Sequence, residues 1–322
     1  MRAVWDSGLK TETEAEQAAF VASAAGIGFD TLIARDVGES FRTIANDAGL
    51  KVVQILTPYV DEAFASAYPD CLQRMTDTEN AFGEVVAAHR WREQTDSAFR
   101  WFPHVNVGRW LCLRHTRSRD IMRSRIESAL ASADGIALDG VGYLNHYGCF
   151  CEVCSDLRTE SVVTGERELE RLARTSEDHL VEVSEFVTHH AKSVDVGCVV
   201  TNHLWPPFRP NEYYGYRLKM DFCCQTISWY HRPAWSLSRS RFEAEEQKRL
   251  EVPERNTFVP FVAVYHHPES VRPPDQIREE VRIGMEASGG HLCFSTLQTL
   301  QEHPDSARAV GETMMEDYSE SS

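Results

Sequence analysis

The chain has 322 residues, of which 33 are Lys or Arg and 49 are Asp or Glu, for a formal net charge of −16. A field of that sign repels nucleic acid and anionic membrane surfaces, so neither is expected as a partner. No run of about 18 apolar residues is present to span a membrane, and Met-Arg-Ala-Val-Trp-Asp-Ser-Gly at the start lacks a signal-peptide core, which points to a soluble, cytoplasmic protein.

Apolar, β-rich runs alternate with helical patterns along the chain, as βα units around a parallel sheet do. Strands are expected at Ala3–Trp5, Thr31–Ala34, Val52–Leu56, Gly135–Leu138, Val196–Thr201, Phe222–Ser228, Phe258–Val264 and Gly290–Phe294. Between them, Thr11–Ala25 reads as a helix stopped at Gly26–Gly28, Glu166–Ala191 as a long amphipathic helix, and Pro273-Pro274-Asp275 opens a helix running to Ala287. Eight such strands predict an α/β fold of the (β/α)8 TIM-barrel class, one domain over residues 1–311. After the third strand, residues 60–115 form an insertion too long for a simple connection and too aromatic for disorder, expected to fold over the barrel mouth. From Glu312 onward, residues 312–322 read as a flexible acidic tail.

In such a barrel the C-terminal ends of the strands carry the chemistry. Those ends are polar here: Asp6, Asp36, Tyr59, Asp139, Asn202 with His203, Trp229 with His231, Tyr265 with His266 and His267, and Ser295. Asp139 ends an apolar strand and is followed by Gly140 and Gly142, which let a ligand come close to the backbone; an acid, base or nucleophile suits that place. Asp221 begins its strand and belongs at the opposite end.

Nine cysteines, an odd number, do not make a disulfide framework in a reducing cytosol. Cys71, Cys198, Cys223, Cys224 and Cys293 read as small buried hydrophobes. Cys149, Cys151 and Cys154 instead form a knuckle, Cys-Phe-Cys-Glu-Val-Cys, that can present three sulfurs to one ion, with Cys112 arriving from the insertion as the fourth. Four thiolates and no open position predict a structural zinc, with His146 as a substitute for one sulfur.

These residues carry a resemblance. Cys112 followed by the Cys149–Cys154 knuckle is similar to the zinc site of the family forty-two β-galactosidases. A strand ending in Asp-Gly and then the knuckle, with Gly289-Gly290, the Phe-Ser-Thr-Leu strand and a helix opened by His303-Pro304-Asp305, resembles more closely an uncharacterised group of glycoside hydrolases related to fucosidase-like barrels. The β-galactosidases carry an Asn-Glu pair at the fourth strand, whereas this chain has no glutamate there.

The resemblance implies hydrolysis of a small saccharide or glycoside by two carboxyl groups, with Asp139 as one and Glu269 as its partner; Asp36 and Asp6 compete for the second place. Trp5, Tyr143, Trp229 and Tyr265, with Trp205 and Tyr230, would stack on sugar rings, while Asp36, Asn202, His203, His231 and His266 would bind hydroxyls. Two other classes stay open: a non-catalytic carbohydrate-binding barrel, and a metal-dependent sugar isomerase or hydrolase using the histidines. Homo-oligomerisation is open as well.

Only five lysines occur, Lys10, Lys51, Lys192, Lys219 and Lys248, so arginine supplies the remaining positive charge. An acidic surface adapted to high salt predicts that the thermal midpoint rises between dilute buffer and molar potassium chloride, as ions screen the self-repulsion. An ordinary acidic protein from an arginine-favouring genome predicts no rise.

Overall fold

Eight parallel strands close into a barrel in chain order, β1 to β8, with β8 pairing back onto β1. The chain is described by a computed structural model over residues 1–6, 13–74, 109–143, 148–204, 213–228, 235–264, 271–316 and 318. The strands are β1 Arg2–Asp6, β2 Thr31–Ala34, β3 Lys51–Leu56, β4 Gly135–Leu138, β5 Val199–Leu204, β6 Phe222–Ser228, β7 Thr257–Ala263 and β8 Leu292–Ser295. The helices are α1 Glu14–Ile27, α2 Glu39–Asp47, α3 Glu62–Ala67, α4 Thr116–Leu130, α5 Glu152–Glu160, α6 Glu168–Val194, α7 Leu237–Arg249, α8 Pro274–Ser288, α9 Leu297–Glu302 and α10 Pro304–Met314.

Alternation along each strand divides the core. One set of residues, including Trp5, Ile33, Val53, Ala137, Val259 and Phe261, packs inside the barrel. Their neighbours in sequence face the helices: Val4, Leu32, Val52 and Val262 join one belt, and Ile136, Leu138 and Val200 another with α4 and α6. A strand buried on both faces must be apolar at every position, which is why the runs were legible as strands.

Local signals set the helix ends. Thr13 and Glu16 form a reciprocal capping box at the start of α1, and Gly28, with φ of 108°, ends it in the left-handed region. On α6 the buried residues Leu172, Leu180, Val183, Val187 and Ala191 recur at helical spacing and press one face on the barrel.

Element ends shift by up to three residues from expectation, and two of the shifts have a clear physical cause. The fifth strand begins at Val199, not Val196, because Asp195 turns the chain: its carboxylate accepts the Gly197 amide at 2.9 Å and its carbonyl the Cys198 amide at 3.2 Å. Val196 is left 84% exposed, and the shift draws Asn202 and His203 into the strand itself. At the C-terminus, α10 continues past Glu312 to Met314, and the buried Tyr318 donates to the Thr313 carbonyl at 2.9 Å. Apolar contact there outweighs the acidic composition. Asp221 lies at the strand-start end, where it accepts from Lys192 and from the Val200 amide, each at 2.8 Å.

The insertion follows β3; of it, residues 75–108 lie outside the described part. Its two ends are zipped together. Val60 donates to Arg109, Leu111 to Pro58 and Cys112 to Cys71, each at 2.9 Å, and Gln73 donates to Trp110 at 2.6 Å. The clasp then reaches the loop after β4: the Trp110 indole donates to the Gly140 carbonyl at 3.0 Å, and Gln73 Nε2 to the Gly142 carbonyl at 3.0 Å. Gly140 has φ of 67°, and a Cβ there would lie within overlap of Trp110 Cζ2 and 2.9 Å from its Cη2. Gly140→Ala therefore combines left-handed strain with a clash against a buried ring and should cost about 2–4 kcal/mol, read as a lower urea midpoint. An unchanged midpoint would show that the indole is not packed on this loop.

Candidate active site and metal centre

The barrel interior ends, on the side of the strand C-termini, in aromatic rings. Trp5 on β1, His203 on β5 and Phe261 on β7 point inward by strand parity. The His203 ring stacks on Phe261 with centroids 3.6 Å apart, and Trp5 stands 5.5 Å from His203 and 6.0 Å from Phe261. Thr226 spends its hydroxyl hydrogen on the Leu204 carbonyl at 2.8 Å. The 3.2 Å contact between His203 Nε2 and Thr226 Oγ1 must therefore be donated by the imidazole, which fixes the proton on Nε2.

Asp139 continues the inward parity of Ala137 one residue past β4, and Arg35 continues that of Ile33 one residue past β2. These strands flank β3, and Arg35 Nη2 donates across its end to Asp139 Oδ2 at 3.1 Å. Burial pushes the Asp139 carboxyl above the ordinary carboxylate range, against the opposing pull of the Arg35 charge and hydrogen bond and of the Gly140 amide. The side chain keeps 19% exposure. Such a group can hold a proton in a partly dry site and has a cation at hand when it releases it.

Beside this mouth, Cys112, Cys149, Cys151 and Cys154 are all buried, with their sulfurs within 4.8 Å of one another. Cys112 Sγ lies 3.5 Å from that of Cys154 and 3.7 Å from that of Cys151. Sulfurs bound tetrahedrally at the zinc–thiolate distance stand about 3.8 Å apart, whereas a disulfide needs about 2.05 Å. Together the four could hold a metal ion. Cys149 Sγ accepts the amides of Arg74 and Cys151, each at 3.4 Å, as a thiolate would. Cys151 immediately precedes α5, without a side-chain cap bond, and Cys154 sits in the first turn of that helix.

Tyr143 stands behind the cysteines. Its hydroxyl has one hydrogen for two neighbours, the Ser176 carbonyl at 3.1 Å and His179 Nδ1 at 2.6 Å. The carbonyl can only accept, so the imidazole donates from Nδ1. Burial first, then Arg114 and Arg119, hold the His179 pKa well below its usual value, so the ring is neutral.

Of the residues nominated from sequence, the structure thus gathers Trp5, His203 and Asp139 on the inner side of the barrel end and the four cysteines beside them. Asn202 turns its Oδ1 to the Cys224 amide at 3.2 Å, and Tyr143 is committed to α6. Asp36 is exposed with φ of 49°, a turn residue. Asp6 is buried and accepts from the Gln298 amide in the first turn of α9 at 3.3 Å, a place that favours a carboxylate for the helix's own sake. Glu269, Trp229, His231, Tyr265 and His266 lie outside the described residues, as do Trp205, Tyr230, His146 and His267. Arg35 and Phe261 escaped the sequence reading, although counting alternate residues from Ile33 and Val259 places both inward.

No protein-family model matches the sequence, and no curated protein matches it. Solved structures do match in fold. A β-galactosidase from the Antarctic haloarchaeon Halorubrum lacusprofundi superposes with a TM-score of 0.66 at 11% identity, covering 98% of this chain and 58% of its own. An α-L-fucosidase isoenzyme from Paenibacillus thiaminolyticus gives 0.57 at 14% identity, covering 99% and 49%. The fold shared with them is the closed (β/α)8 barrel. The catalytic domain of a β-amylase from Paenibacillus polymyxa also matches, with 0.57 at 10% identity over 97% of this chain and 96% of that one. The chain thus spans about half of the fucosidase and 58% of the β-galactosidase. At these identities the glycoside hydrolase likeness is one of fold.

Because burial raises the Asp139 pKa in the folded state, the stability tied to this group is full at acid pH and is lost as pH rises through the folded value. Arg35 limits that loss. Arg35→Ala should move the Asp139 titration upward by about one pH unit or more, followed by carboxyl carbon NMR, and should destabilise the protein more at neutral pH than at pH of about 4. A titration that stays in place would show that the ion pair is not formed in solution.

Proposed function

We propose that this chain is a glycoside hydrolase-like enzyme acting on a small saccharide or glycoside, with Asp139 as a catalytic carboxyl group. The observation that carries the reading is the placement of Asp139: inward-facing at the C-terminal end of β4, paired to Arg35 at 3.1 Å and raised in pKa by burial. It stands beside aromatic rings that suit the apolar faces of a sugar. Kinship of fold with a galactosidase, a fucosidase and an amylase supports the substrate class.

In this reading Asp139 either protonates the departing glycosidic oxygen or attacks the anomeric carbon, and a second carboxylate completes the pair. Glu269, which follows β7 in the sequence, is the proposed partner. The separation of the two would decide the outcome, about 5–5.5 Å for retention and about 6.5–9.5 Å for inversion. Arg35 holds Asp139 in place and favours its ionised form between proton transfers. His203, stacked on Phe261, would bind a hydroxyl in this reading.

The four cysteines fit a structural zinc. Four buried sulfurs at tetrahedral spacing would close its coordination, so the ion would tie the insertion to the loop after β4 and take no part in bond cleavage.

Asp139→Asn tests the assignment. With a panel of aryl glycosides, the variant should lose about 100-fold or more in turnover while its circular dichroism and thermal midpoint stay close to those of the parent. Retained turnover removes Asp139 from the mechanism, and a parent chain inert toward every glycoside overturns the hydrolase reading.

A further inference from the structure

A second group of ligating side chains converges close to the four-cysteine cluster. Asp70, Cys71 and His115 offer a carboxylate oxygen, a thiol sulfur and an imidazole nitrogen, all within 4.8 Å of one another. Asp70 and Cys71 lie in the short 3-10 turn Pro69–Cys71, where the chain enters the insertion, and His115 occupies the residue before the first turn of α4, where it returns, with no side-chain cap bond. The backbone holds the two stretches together: Cys112 donates to the Cys71 carbonyl at 2.9 Å, His115 to the Cys112 carbonyl at 3.1 Å, and Ser118 Oγ to the Cys71 carbonyl at 3.1 Å.

Two observations point to a ligand. His115 Nε2 is shut off from water and has no hydrogen-bond partner among the described residues, a state that buried polar atoms rarely keep. Among the described residues, no hydrogen bond or ion pair engages the Asp70 carboxylate, which is exposed at the surface. Nearby Arg117 lies over the Tyr68 ring, its guanidinium carbon 4.0 Å from the centroid, and does not close on Asp70.

We propose that Asp70, Cys71 and His115 form a second metal site, for zinc or a similar borderline divalent ion. The donor set is mixed, one oxygen, one sulfur and one nitrogen, which suits zinc better than the hard, oxygen-seeking magnesium or calcium. Three protein ligands leave a fourth position for water on the Asp70 side. Cys71 would give up its thiol proton as the metal enters. This site therefore differs from the cysteine cluster in being open and near the surface, and its ion should exchange readily. Its occupancy would fasten the entry of the insertion to its exit, next to the clasp already made by Cys71 and Cys112. The proposal is independent of the glycosidase reading.

The full chain, stripped of metal under reducing conditions and titrated with Zn²⁺ alone, should take up two equivalents, one of which a mild chelator removes. Titration with Co²⁺ should show two sets of tetrahedral bands, the weaker carrying the charge transfer of a single thiolate. Asp70→Asn and His115→Ala change groups whose side chains make no hydrogen bond among the described residues, and each should reduce uptake to the one tight equivalent with circular dichroism unchanged. Cys71→Ser should abolish the weaker cobalt–thiolate band. Uptake of a single equivalent by the parent overturns the proposal, as does uptake of two by both Asp70→Asn and His115→Ala.

Discussion

Residues Arg109–Cys112 are the point on which the open end of the barrel depends. The main chain of this short segment runs between the two halves of the insertion's entry, bonded on one side to Pro58 and Val60 and on the other to Cys71 and Gln73. Its side chains extend the same contact outward. The Arg109 guanidinium carbon stands 4.4 Å from the centroid of Tyr59, Trp110 fills the space beside Gly140, and Cys112 supplies a sulfur to the cluster. Each hydrogen bond alone is worth about 1 kcal/mol. What matters is that one short segment serves several purposes, so a displacement that moves Cys112 out of the cysteine cluster also takes Trp110 off the loop that follows Asp139. The cysteine cluster and the carboxylate are in this way parts of one mechanical unit.

This coupling explains what was legible in the sequence. Strands buried on both faces must be continuous apolar runs, so their order, and the arrival of Asp139 at the end of one, could be read directly. The knuckle was legible because three of its ligands fall within six residues. Val196 misled for the opposite reason: it is as apolar as Val199, and only the turn made by Asp195 and Gly197 tells a solvent-facing valine from one that opens a strand. Arg35 and the trio Asp70, Cys71 and His115 depend on juxtapositions that no short spacing encodes. Arg35 reaches Asp139 over the end of an intervening strand, and His115 meets Cys71 only because the insertion closes on itself. Cys71 reads as a small buried hydrophobe, and it is buried; the sequence did not show what stands beside it.

The far side of the mouth is fixed by a different device. Arg272 and Glu280 are buried between α8 and the ends of β6 and β7, with Arg272 Nη2 bonded to Glu280 at 2.5 Å, to Ser228 Oγ at 2.9 Å and to the Ala263 carbonyl at 2.8 Å. Ser228 donates in turn to Glu280 at 2.8 Å, and Gln276 to its other oxygen at 3.1 Å. Burying an ion pair costs more than the attraction returns unless further hydrogen bonds satisfy the charges, and here most are satisfied. Ser228 ends β6 and Ala263 ends β7. The pair therefore fixes the C-terminal ends of β6 and β7. The surface pairs, such as Arg308 with Asp305 and Arg123 with Asp120, contribute little individually, and the acidic residues leave a net charge of −16.

Within that frame Asp139 sits under two opposed influences. Burial favours the neutral carboxyl, and Arg35 favours the carboxylate. Arg35 is 44% exposed, so water and salt weaken its hold. Under the hydrolase reading, a neutral saccharide lying over the pair would displace that water and strengthen both influences together: the desolvation that keeps a proton on Asp139, and the attraction that stabilises the charge once the proton has gone. A general acid needs this combination, because it must hold its proton until the leaving oxygen can take it and then exist as an anion. A carboxyl group buried without a cation would meet only the first requirement, and one fully exposed beside Arg35 only the second.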